Sequence, residues 1–179
     1  NGRYFWGVKE NFIESGIMYV PIRAIASAFG MTVSWNDGEF AAYVSRGDGT
    51  VTQWYEYYKG DEVYWLSKII EAESRGEPMR GKIAVGNVVL NRVRSPEFPD
   101  TIYSVIFDRK YGVQFSPVAD GSIGRDASAE SVIAAKLCLE GYSVSDSVLY
   151  FINASAAQDF WVPRHRPYVT TIGNHDFYA

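Results

Sequence analysis

The sequence has one cysteine, Cys138, and two histidines, His165 and His175. A single cysteine excludes an intrachain disulfide and a cysteine metal cluster, and Cys138 is predicted to be a small buried side chain on a helix. Catalytic zinc usually has three protein ligands, so two histidines could hold it only together with a carboxylate. Because no HExxH-like spacing is present, we expect no metal and no cofactor.

Long apolar runs are also absent, and none approaches the roughly 20 residues that span a bilayer. Positive charge is scarce: 17 Lys and Arg stand against 21 Asp and Glu, giving a net charge of -4. This balance argues against a nucleic-acid partner, because phosphate contacts need a basic face. The chain begins at Asn1 without Met or a signal peptide, so we expect a trimmed or mature product of a secreted protein.

Aromatic residues are abundant, at 16% of a chain that is 47% hydrophobic and 21% charged. This composition is typical of a packed globular protein rather than a disordered one. The aromatic content exceeds what a core of this size needs. Aromatic faces commonly bind flat or ring-shaped ligands, and carbohydrate is one such ligand.

Residues 1–48 predict a small βαβ-β module. An extended run ends near Pro21 and is followed by a short helix that Gly30 ends. The helix is indicated by apolar residues at helical spacing, namely Ile22, Ile25, Ala26 and Phe29. The strand-like stretches "MTVSW" and "EFAAYVSR" then flank the turn signal "NDG". Residues 49–60, which contain the end of "GDGT", predict a linker.

The segment "YVPIRAIASAFGMTVSWN" with its following turn resembles the N-terminal repeat of copper amine oxidases, which is common in exported bacterial proteins. The resemblance implies a structural module, or one that holds the chain near the cell envelope. Residues 1–60 contain no His and no Cys, so we do not expect copper here.

From Asp61 the pattern becomes helical. Four helices are predicted over "VYWLSKIIEAES", "GKIAVGNVVLNRVR", "DTIYSVIFD" with Asp100 as its N-cap, and "SAESVIAAKLCLEG", which Gly141 ends. Gly86 in the second helix indicates close packing against another helix. The side-chain amides of Asn87 and Asn91 are predicted to form hydrogen bonds with the backbone of a neighbouring loop.

Two stretches, one between the third and fourth helices and one after the fourth, lack helical spacing of apolar residues. The long connection "RKYGVQFSPVADGSIGRD" separates the third and fourth helices, and connections of this length are uncommon unless they carry a function. The part of the chain from "SVLYFINAS" onward is predicted to be mostly irregular, with aromatic and Asn residues spaced through it.

The stretch "IIEAESRGEP" carries three glutamates at the end of the first of these helices. Glu73 is three positions from Ile70 and four from Ile69, so its carboxyl is predicted to share their apolar face. Glu71 is predicted to point to roughly the opposite side and to be exposed, together with Ser67, Lys68 and Ser74. Glu77 precedes Pro78, belongs to the turn that ends the helix, and is a candidate second carboxylate.

A carboxylic acid on an apolar face is desolvated, which raises its pKa toward the value that suits proton donation near neutral pH. Cleavage of a glycosidic bond uses such an acid. The alternative is that Glu73 is a helix-end residue paired with Arg75, Arg80 or Arg92. The helical spacing alone leaves both interpretations open.

Two short blocks are candidates for binding a sugar, because they combine aromatic faces with amide and hydroxyl groups. N-acetyl sugars need that mixture. The candidate contact residues are Tyr111, Gln114, Phe115, Ser116, Tyr150, Asn153 and Trp161. Trp161 is predicted to form an aromatic wall, or to pack in the core, with Phe160 and Tyr168.

Five blocks in order resemble the spore cortex-lytic cell wall hydrolase family of the SleB type, over nearly all of residues 61–179. They are "EAESRGEPMRGKIAVGNVVLNRV", "FPDTIYSVIF", "QFSPVADG", "LYFINAS" and "IGNHDFY". One departure is that Ala154 follows Asn153, where members of the family often carry Asn-Pro.

The resemblance implies a mainly helical, lysozyme-like catalytic domain over residues 61–179, so the whole chain is predicted to be α+β. It implies peptidoglycan glycan strands as the partner, in the cell wall or spore cortex. Several members are lytic transglycosylases that cleave between N-acetylmuramic acid and N-acetylglucosamine and leave a 1,6-anhydro end. The family's catalytic glutamate is the first of the block "ESRGE", which is Glu73.

Other activities remain open at this point. A hydrolytic route would need a second carboxylate, and Glu77 and Asp120 are the candidates. The chain could also be a zinc-dependent N-acetylmuramoyl-L-alanine amidase, or a noncatalytic peptidoglycan-binding protein.

Overall fold

The computed structural model describes residues 12–47, 58–153, 155 and 161–179. The chain divides into two compact units, with the division between Tyr58 and Lys59. Most of the predicted linker lies outside the described residues, and so does Phe160. None of the helices in the described ranges has the length and apolar content that crossing a bilayer requires.

The first unit contains two antiparallel hairpins and a helix. Strand β1 (Phe12–Glu14) pairs with β2 (Ile17–Tyr19), and helix α1 (Ile22–Ala28) follows. Strand β3 (Thr32–Asn36) then pairs with β4 (Ala41–Ser45). The predicted βαβ-β order is confirmed from β2 onward, and the structure adds β1 before it.

The two hairpin turns explain that difference. The predicted turn after β3 is confirmed: Asn36 Oδ1 accepts hydrogen bonds from the backbone N–H groups of Gly38 (2.9 Å) and Glu39 (3.2 Å). Such a bond from an Asn side chain to nearby backbone is a recognisable turn signal. The β1–β2 turn uses Ser15 and Gly16 at positive φ; Ser-Gly is a turn signal that the prediction did not use, and serine seldom adopts this conformation.

The second unit is mainly helical, and the predicted α+β class is confirmed. Its helical segments are α2 (Gly60–Ser74), α3 (Met79–Arg94), α4 (Ile102–Ile106), α5 (Ser116–Ala119), a 3₁₀ turn (Ser122–Gly124), α6 (Ala129–Leu139) and α7 (Trp161–His165). Helices α2, α3 and α6 pack against one another. The fully buried residues at their centre include Leu66, Ile69, Ile70, Val85, Val88, Val89, Ala134 and Ala135.

The prediction of a mostly irregular region after α6 is wrong. Strands β5 (Tyr150–Asn153), β6 (Tyr168–Ile172) and β7 (His175–Tyr178) form an antiparallel sheet with β7 in the middle. Each strand has only four or five residues, and β5 pairs with a strand more than twenty positions away. The pairing of β5 with β7 gives no local signal, whereas β6 and β7 form a hairpin whose two-residue turn, Gly173-Asn174, is a local signal that the prediction did not use.

The prediction of Asp100 as the N-cap of α4 is also wrong. The N-cap is Thr101, whose side chain accepts a hydrogen bond from the backbone N–H of Ser104 at 3.1 Å. An N-cap oxygen must reach the second or third N–H of the helix, and Asp100 is one position too early. At the end of α6, Gly141 has φ +94, as expected for a glycine that ends a helix.

Close packing at Gly86 is confirmed. A Cβ atom at this position would lie 2.7 Å from Cys138 Sγ and 3.0 Å from Ile70 Cδ1, so α2, α3 and α6 can approach this closely only without a side chain. Cys138 is fully buried, and burial raises the pKa of its thiol to about 12. The thiol is therefore protonated at neutral pH, as expected of a packing residue.

The amides of α3 bond a neighbouring loop, as predicted. Asn87 Nδ2 donates to the carbonyl of Tyr142 at 2.9 Å, and Asn87 Oδ1 accepts from the N–H of Val144 at 2.8 Å. Asn91 Nδ2 donates to the carbonyls of Ser145 and Val148. These bonds fix the loop that leads directly into β5.

The C-terminal end of α2 is held by a buried lysine. Lys82 is 1% exposed, and its Nζ donates to the carbonyls of Ser74, Arg75 and Glu77 at 2.8–2.9 Å. The last carbonyls of a helix have no partner within the helix and carry partial negative charge, so a cation is favourable there.

The turn after α2 is joined to the turn between β6 and β7. Both oxygens of the buried Glu77 carboxylate accept hydrogen bonds from Asn174, one from its backbone N–H (3.0 Å) and one from its side-chain amide (2.9 Å). Gly173 has φ +60, and a Cβ there would lie 1.7 Å from Glu77 Oε2. We call Lys82, Glu77, Gly173 and Asn174 the α2 end clamp.

We predict that Gly173→Ala destabilises the protein. The left-handed backbone alone costs a non-glycine residue about 1–2 kcal/mol, and the contact with Glu77 adds to that cost. The melting temperature, followed by circular dichroism, should fall by at least about 5 °C. Gly124→Ala is the matched control, because its Cβ would meet no atom within 4 Å and its φ lies outside the left-handed region. Equal melting temperatures for the two variants would contradict the proposed steric role.

Candidate active site

Glu73 lies in the last turn of α2 and lines a cleft of about 1000 Å³. It follows the fully buried Ile69 and Ile70 on the same side of the helix, and its own side chain is half-buried. Burial raises the pKa of the Glu73 carboxyl to about 7, with a further contribution from the negative charge of Asp120. Near neutral pH the Glu73 carboxyl is therefore partly protonated, unlike an ordinary glutamate.

The alternative interpretation of Glu73 required an arginine partner. Arg75 instead lies 3.4 Å from Glu71, and the guanidinium of Arg92 lies against aromatic rings. Within the described residues no ion pair reaches Glu73. The geometry is that of a desolvated carboxyl at a cleft, not of a helix-end salt bridge.

The prediction that Glu71 is exposed is wrong. Glu71 is 6% exposed, and its Oε2 accepts from the N–H and Oγ of Ser128 and from Oγ of Ser131, at 2.6–3.1 Å. Burial alone would raise the pKa of Glu71, but these hydrogen bonds and the charge of Arg75 outweigh it, so the pKa lies below its ordinary value. Glu71 is therefore an ionised structural residue that joins α2 to the start of α6.

The other polar residues on that side of α2 are buried too, because α6 and the preceding loop cover them. Ser67, Lys68 and Ser74 are each at most 6% exposed. Lys68 Nζ donates to the carbonyls of Gly124 and Arg125 and to the side chain of Asp126. These bonds hold the 3₁₀ turn that follows Asp120.

Asp120 itself is exposed and hydrogen-bonded. Its Oδ1 accepts from the backbone N–H of Ser122 at 2.8 Å, and hydrogen bonds from Ser122 lower the pKa of Asp120. It is therefore a carboxylate at neutral pH, and its charge is the one that acts on Glu73. Glu77, the other candidate second carboxylate, is held in the α2 end clamp and lies outside the lining of the cleft.

The structure brings all the sequence-predicted contact residues to the same cleft as Glu73. They are Tyr111, Gln114, Phe115, Ser116, Tyr150, Asn153 and Trp161. Their exposure differs: the side chain of Tyr111 is 81% exposed and that of Trp161 46%, whereas Phe115 is 2% exposed and packs in the core. Of the aromatic wall proposed around Trp161, Tyr168 does not line the cleft.

Two arginines of the cleft were not predicted as site residues. Arg92 is 4% exposed, its Nε donates to the carbonyl of Leu149, and its guanidinium carbon lies 4.8–5.3 Å from the ring centres of Phe98, Phe115 and Tyr150. Burial lowers the pKa of Arg92 to about 10, with Tyr150 and Asp108 acting in the opposite direction. The group remains a cation at neutral pH.

The guanidinium of Arg166 lies 4.5 Å from the ring centre of Tyr150 and 5.6 Å from that of Trp161. Cation–π contacts depend on rings from separate elements and have no sequence spacing of their own. The only available signal for Arg92 was its position in the apolar run of α3. No comparable signal was available for Arg166.

The two histidines occupy different surroundings. His175 is buried, lines the cleft and contacts the ring of Phe151. Burial lowers the pKa of His175 despite the nearby Glu77 and Asp176, so its ring is neutral at pH 7. His165 is exposed and stacks on Trp161. Among the described residues no group of three His, Cys, Asp or Glu side chains is arranged to hold a metal ion.

Comparison with protein families gives two matches. The family described as Cell Wall Hydrolase matches residues 76–178, a range that begins just after Glu73. The copper amine oxidase N-terminal domain matches residues 1–67. The two matches confirm both resemblances inferred from the sequence motifs.

Curated relatives include the spore cortex-lytic enzymes of Oceanobacillus iheyensis and Bacillus subtilis, which are 34% and 32% identical to this chain over 120 residues. Each alignment covers 67% of this chain, but only 42% and 38% of the respective relatives. The chain thus spans less than half the length of the relatives it matches.

Two solved structures resemble the fold. The catalytic domain of the germination-specific lytic transglycosylase SleB from Bacillus anthracis has a TM-score of 0.61 and 33% identity, and the match covers 68% of this chain and 97% of that domain. The catalytic domain of Bacillus cereus SleB has a TM-score of 0.60 and 34% identity, with 68% and 92% coverage. With the matched motifs and the family range, these likenesses show that the chain belongs to the cell wall hydrolase family.

Proposed function

We propose that this protein is a peptidoglycan lytic enzyme that cleaves the glycosidic bond between N-acetylmuramic acid and N-acetylglucosamine. The observation that carries the proposal is the carboxyl of Glu73, whose pKa is raised to about 7 at a cleft lined by aromatic and amide side chains. The relatives of this chain that are named spore cortex-lytic enzymes support peptidoglycan as the substrate. An extracytoplasmic site of action, in the cell wall or the spore cortex, follows from that substrate.

Glu73 is proposed to act first as the general acid. Its proton passes to the glycosidic oxygen, the bond to the leaving sugar breaks, and positive charge develops at C1 of the muramoyl ring. A pKa near the working pH suits this step, because the group must hold a proton before the reaction and lose it readily during it.

The same carboxyl is then proposed to act as the base. The ionised Glu73 takes the proton of the C6 hydroxyl of the muramoyl sugar, and the C6 oxygen bonds to C1. This closes a 1,6-anhydro ring and returns Glu73 to its protonated form. The route needs no water nucleophile, and the SleB neighbour from Bacillus anthracis is described as a lytic transglycosylase.

A hydrolytic route is the second candidate, because Asp120 is ionised and close enough to influence Glu73. A carboxylate that acts as nucleophile or base in hydrolysis stands about 5–9.5 Å from the acid. In our proposal Asp120 instead keeps the pKa of Glu73 high.

We predict that Glu73→Gln lowers the rate of lysis by about 10²–10⁴-fold, because glutamine cannot donate a proton. The measurement is the release of soluble fragments from purified sacculi, with circular dichroism to verify folding. Glu62→Gln is the control: it changes the same residue type about 16 Å away along α2 and should leave the rate unchanged. A folded Glu73→Gln protein with substantial activity would remove Glu73 from this role.

The pH dependence of kcat/KM should follow the protonation of the Glu73 carboxyl. Because protonated Glu73 is the active form, kcat/KM should fall as the pH rises through about 7. Asp120→Asn removes a negative charge that raises this pKa, so the decline should begin at a lower pH. Asp61→Asn, about 18 Å away along α2, should not move it.

Two results of the pH experiment would count against this account. An unchanged decline in Asp120→Asn would exclude the electrostatic role of Asp120. Loss of activity at every pH in that variant would favour Asp120 as a participant in the hydrolytic route.

The products distinguish the candidate functions. We expect mass spectrometry of digested sacculi to show muramoyl ends that are lighter by one water than the hydrolytic product, as the 1,6-anhydro ring requires. Hydrated reducing ends would indicate hydrolysis, and free stem peptides would indicate an amidase. The absence of any product would indicate a noncatalytic binding protein.

A further inference from the structure

Arg166 is a cation on the wall of the cleft that the proposed mechanism does not use. It directly follows helix α7, and its half-buried side chain lines the same cleft as Glu73. Its guanidinium lies over the rings of Tyr150 and Trp161, which also line the cleft.

The ring contacts of Arg166 are cation–π contacts, which do not use its N–H groups as hydrogen-bond donors to oxygen. A guanidinium donates its five N–H bonds in the plane of the group, in a fork that matches the two oxygens of a carboxylate. Within the described residues no side chain forms an ion pair with Arg166, and its buried Nε has no hydrogen-bond partner.

Two guanidinium groups lie against the ring of Tyr150 on the wall of the cleft. Arg92 places a second guanidinium against the ring of Tyr150, 5.3 Å from the ring centre. The acidic groups of the lining are Glu73, Glu97 and Asp108. Glu73 is partly protonated at neutral pH, and Asp108 acts electrostatically on Arg92.

If the proposed function holds, the sugar rings of the substrate are uncharged and its carboxylates lie on the muramoyl substituent. The substituent at C3 is a lactyl ether that ends in a carboxyl group. That carboxyl can be free, can be amide-linked to a peptide with carboxylates of its own, or can be closed into an uncharged lactam.

We propose that Arg166, which lies over the rings of Tyr150 and Trp161, is a specificity-determining residue that binds a carboxylate carried by the C3 substituent of the glycan. A bidentate contact between arginine and a carboxylate is among the stronger and more directional hydrogen-bonded pairs. The enzyme then binds muramoyl units with an ionised substituent more tightly than units without one, in the same cleft.

The test is equilibrium binding to the full chain carrying Glu73→Gln, so that the ligand is not consumed. Three soluble glycan fragments of equal length serve as probes: one with stem peptides, one with free lactyl carboxylates after removal of the peptides, and one with lactam rings. We expect Arg166→Gln to weaken binding of at least one carboxylate-bearing fragment by about tenfold and to leave the lactam fragment unchanged.

The control is Arg164→Gln, which removes an exposed arginine two positions away that does not line the cleft. It should leave all three affinities unchanged. Arg166→Lys keeps the charge but loses the planar fork, so it should weaken the same fragments by less than Arg166→Gln. It also serves as the second variant if glutamine at this position prevents folding. In the protein that retains Arg166, the difference in affinity between the carboxylate-bearing fragments and the lactam fragment should decrease as salt is added.

Each outcome has a defined meaning. Weaker binding of only the peptide-bearing fragment would assign the contact to a peptide carboxylate, and weaker binding of the fragment with free lactyl groups would assign it to the lactyl carboxylate. Equal weakening of all three fragments, or of none, would overturn the proposal. Cleavage by the unsubstituted enzyme is measured separately. A protein that prefers charged fragments but releases no product would refute the proposed function and leave this inference standing.

Discussion

The geometry of the site depends on two buried charges at the end of α2. The ammonium of Lys82 donates to three carbonyls, and the carboxylate of Glu77 accepts two hydrogen bonds from Asn174. A buried charge is tolerated only when it is paired or hydrogen-bonded, so both side chains have little freedom to move. Because Glu73 lies between the body of α2 and this clamp, its direction into the cleft is set by the same contacts.

Three glutamates within seven positions fall into two electrostatic states. Glu71 and Glu77 have little exposed surface, 6% and 9%, yet both have lowered pKa values because hydrogen bonds and cations stabilise their carboxylates. Glu73 has a raised pKa because burial and a neighbouring anion act in the same direction. A small exposed surface alone therefore does not decide which glutamate has a raised pKa. The balance between desolvation and hydrogen bonding at each carboxyl decides it.

Much of the helical unit could be predicted from the sequence, because apolar spacing encodes a helix locally. The spacing of Ile69, Ile70 and Glu73 was enough to place the acid on the apolar side of α2. The same argument failed for Glu71, since it treats the polar side of a helix as exposed. That side is covered by α6, and no pattern within α2 shows that a second helix packs there.

The β5–β7 pairing and the arginine contacts could not be predicted for a related reason. β5 and β7 pair across more than twenty positions, and the ring of Tyr150 meets guanidinium groups from α3 and from the residue after α7. These contacts exist only after the chain has folded. The blocks "LYFINAS" and "IGNHDFY" nevertheless indicated where two of the strands lie, without showing that they are strands.

The bond between Glu77 and Asn174 joins residues 97 positions apart. During biosynthesis, α2 and its glutamates emerge from the ribosome well before the β6–β7 turn that holds the end of that helix. The turn that follows α2 therefore acquires its partner only when the chain is nearly complete, after Asn174 has been added.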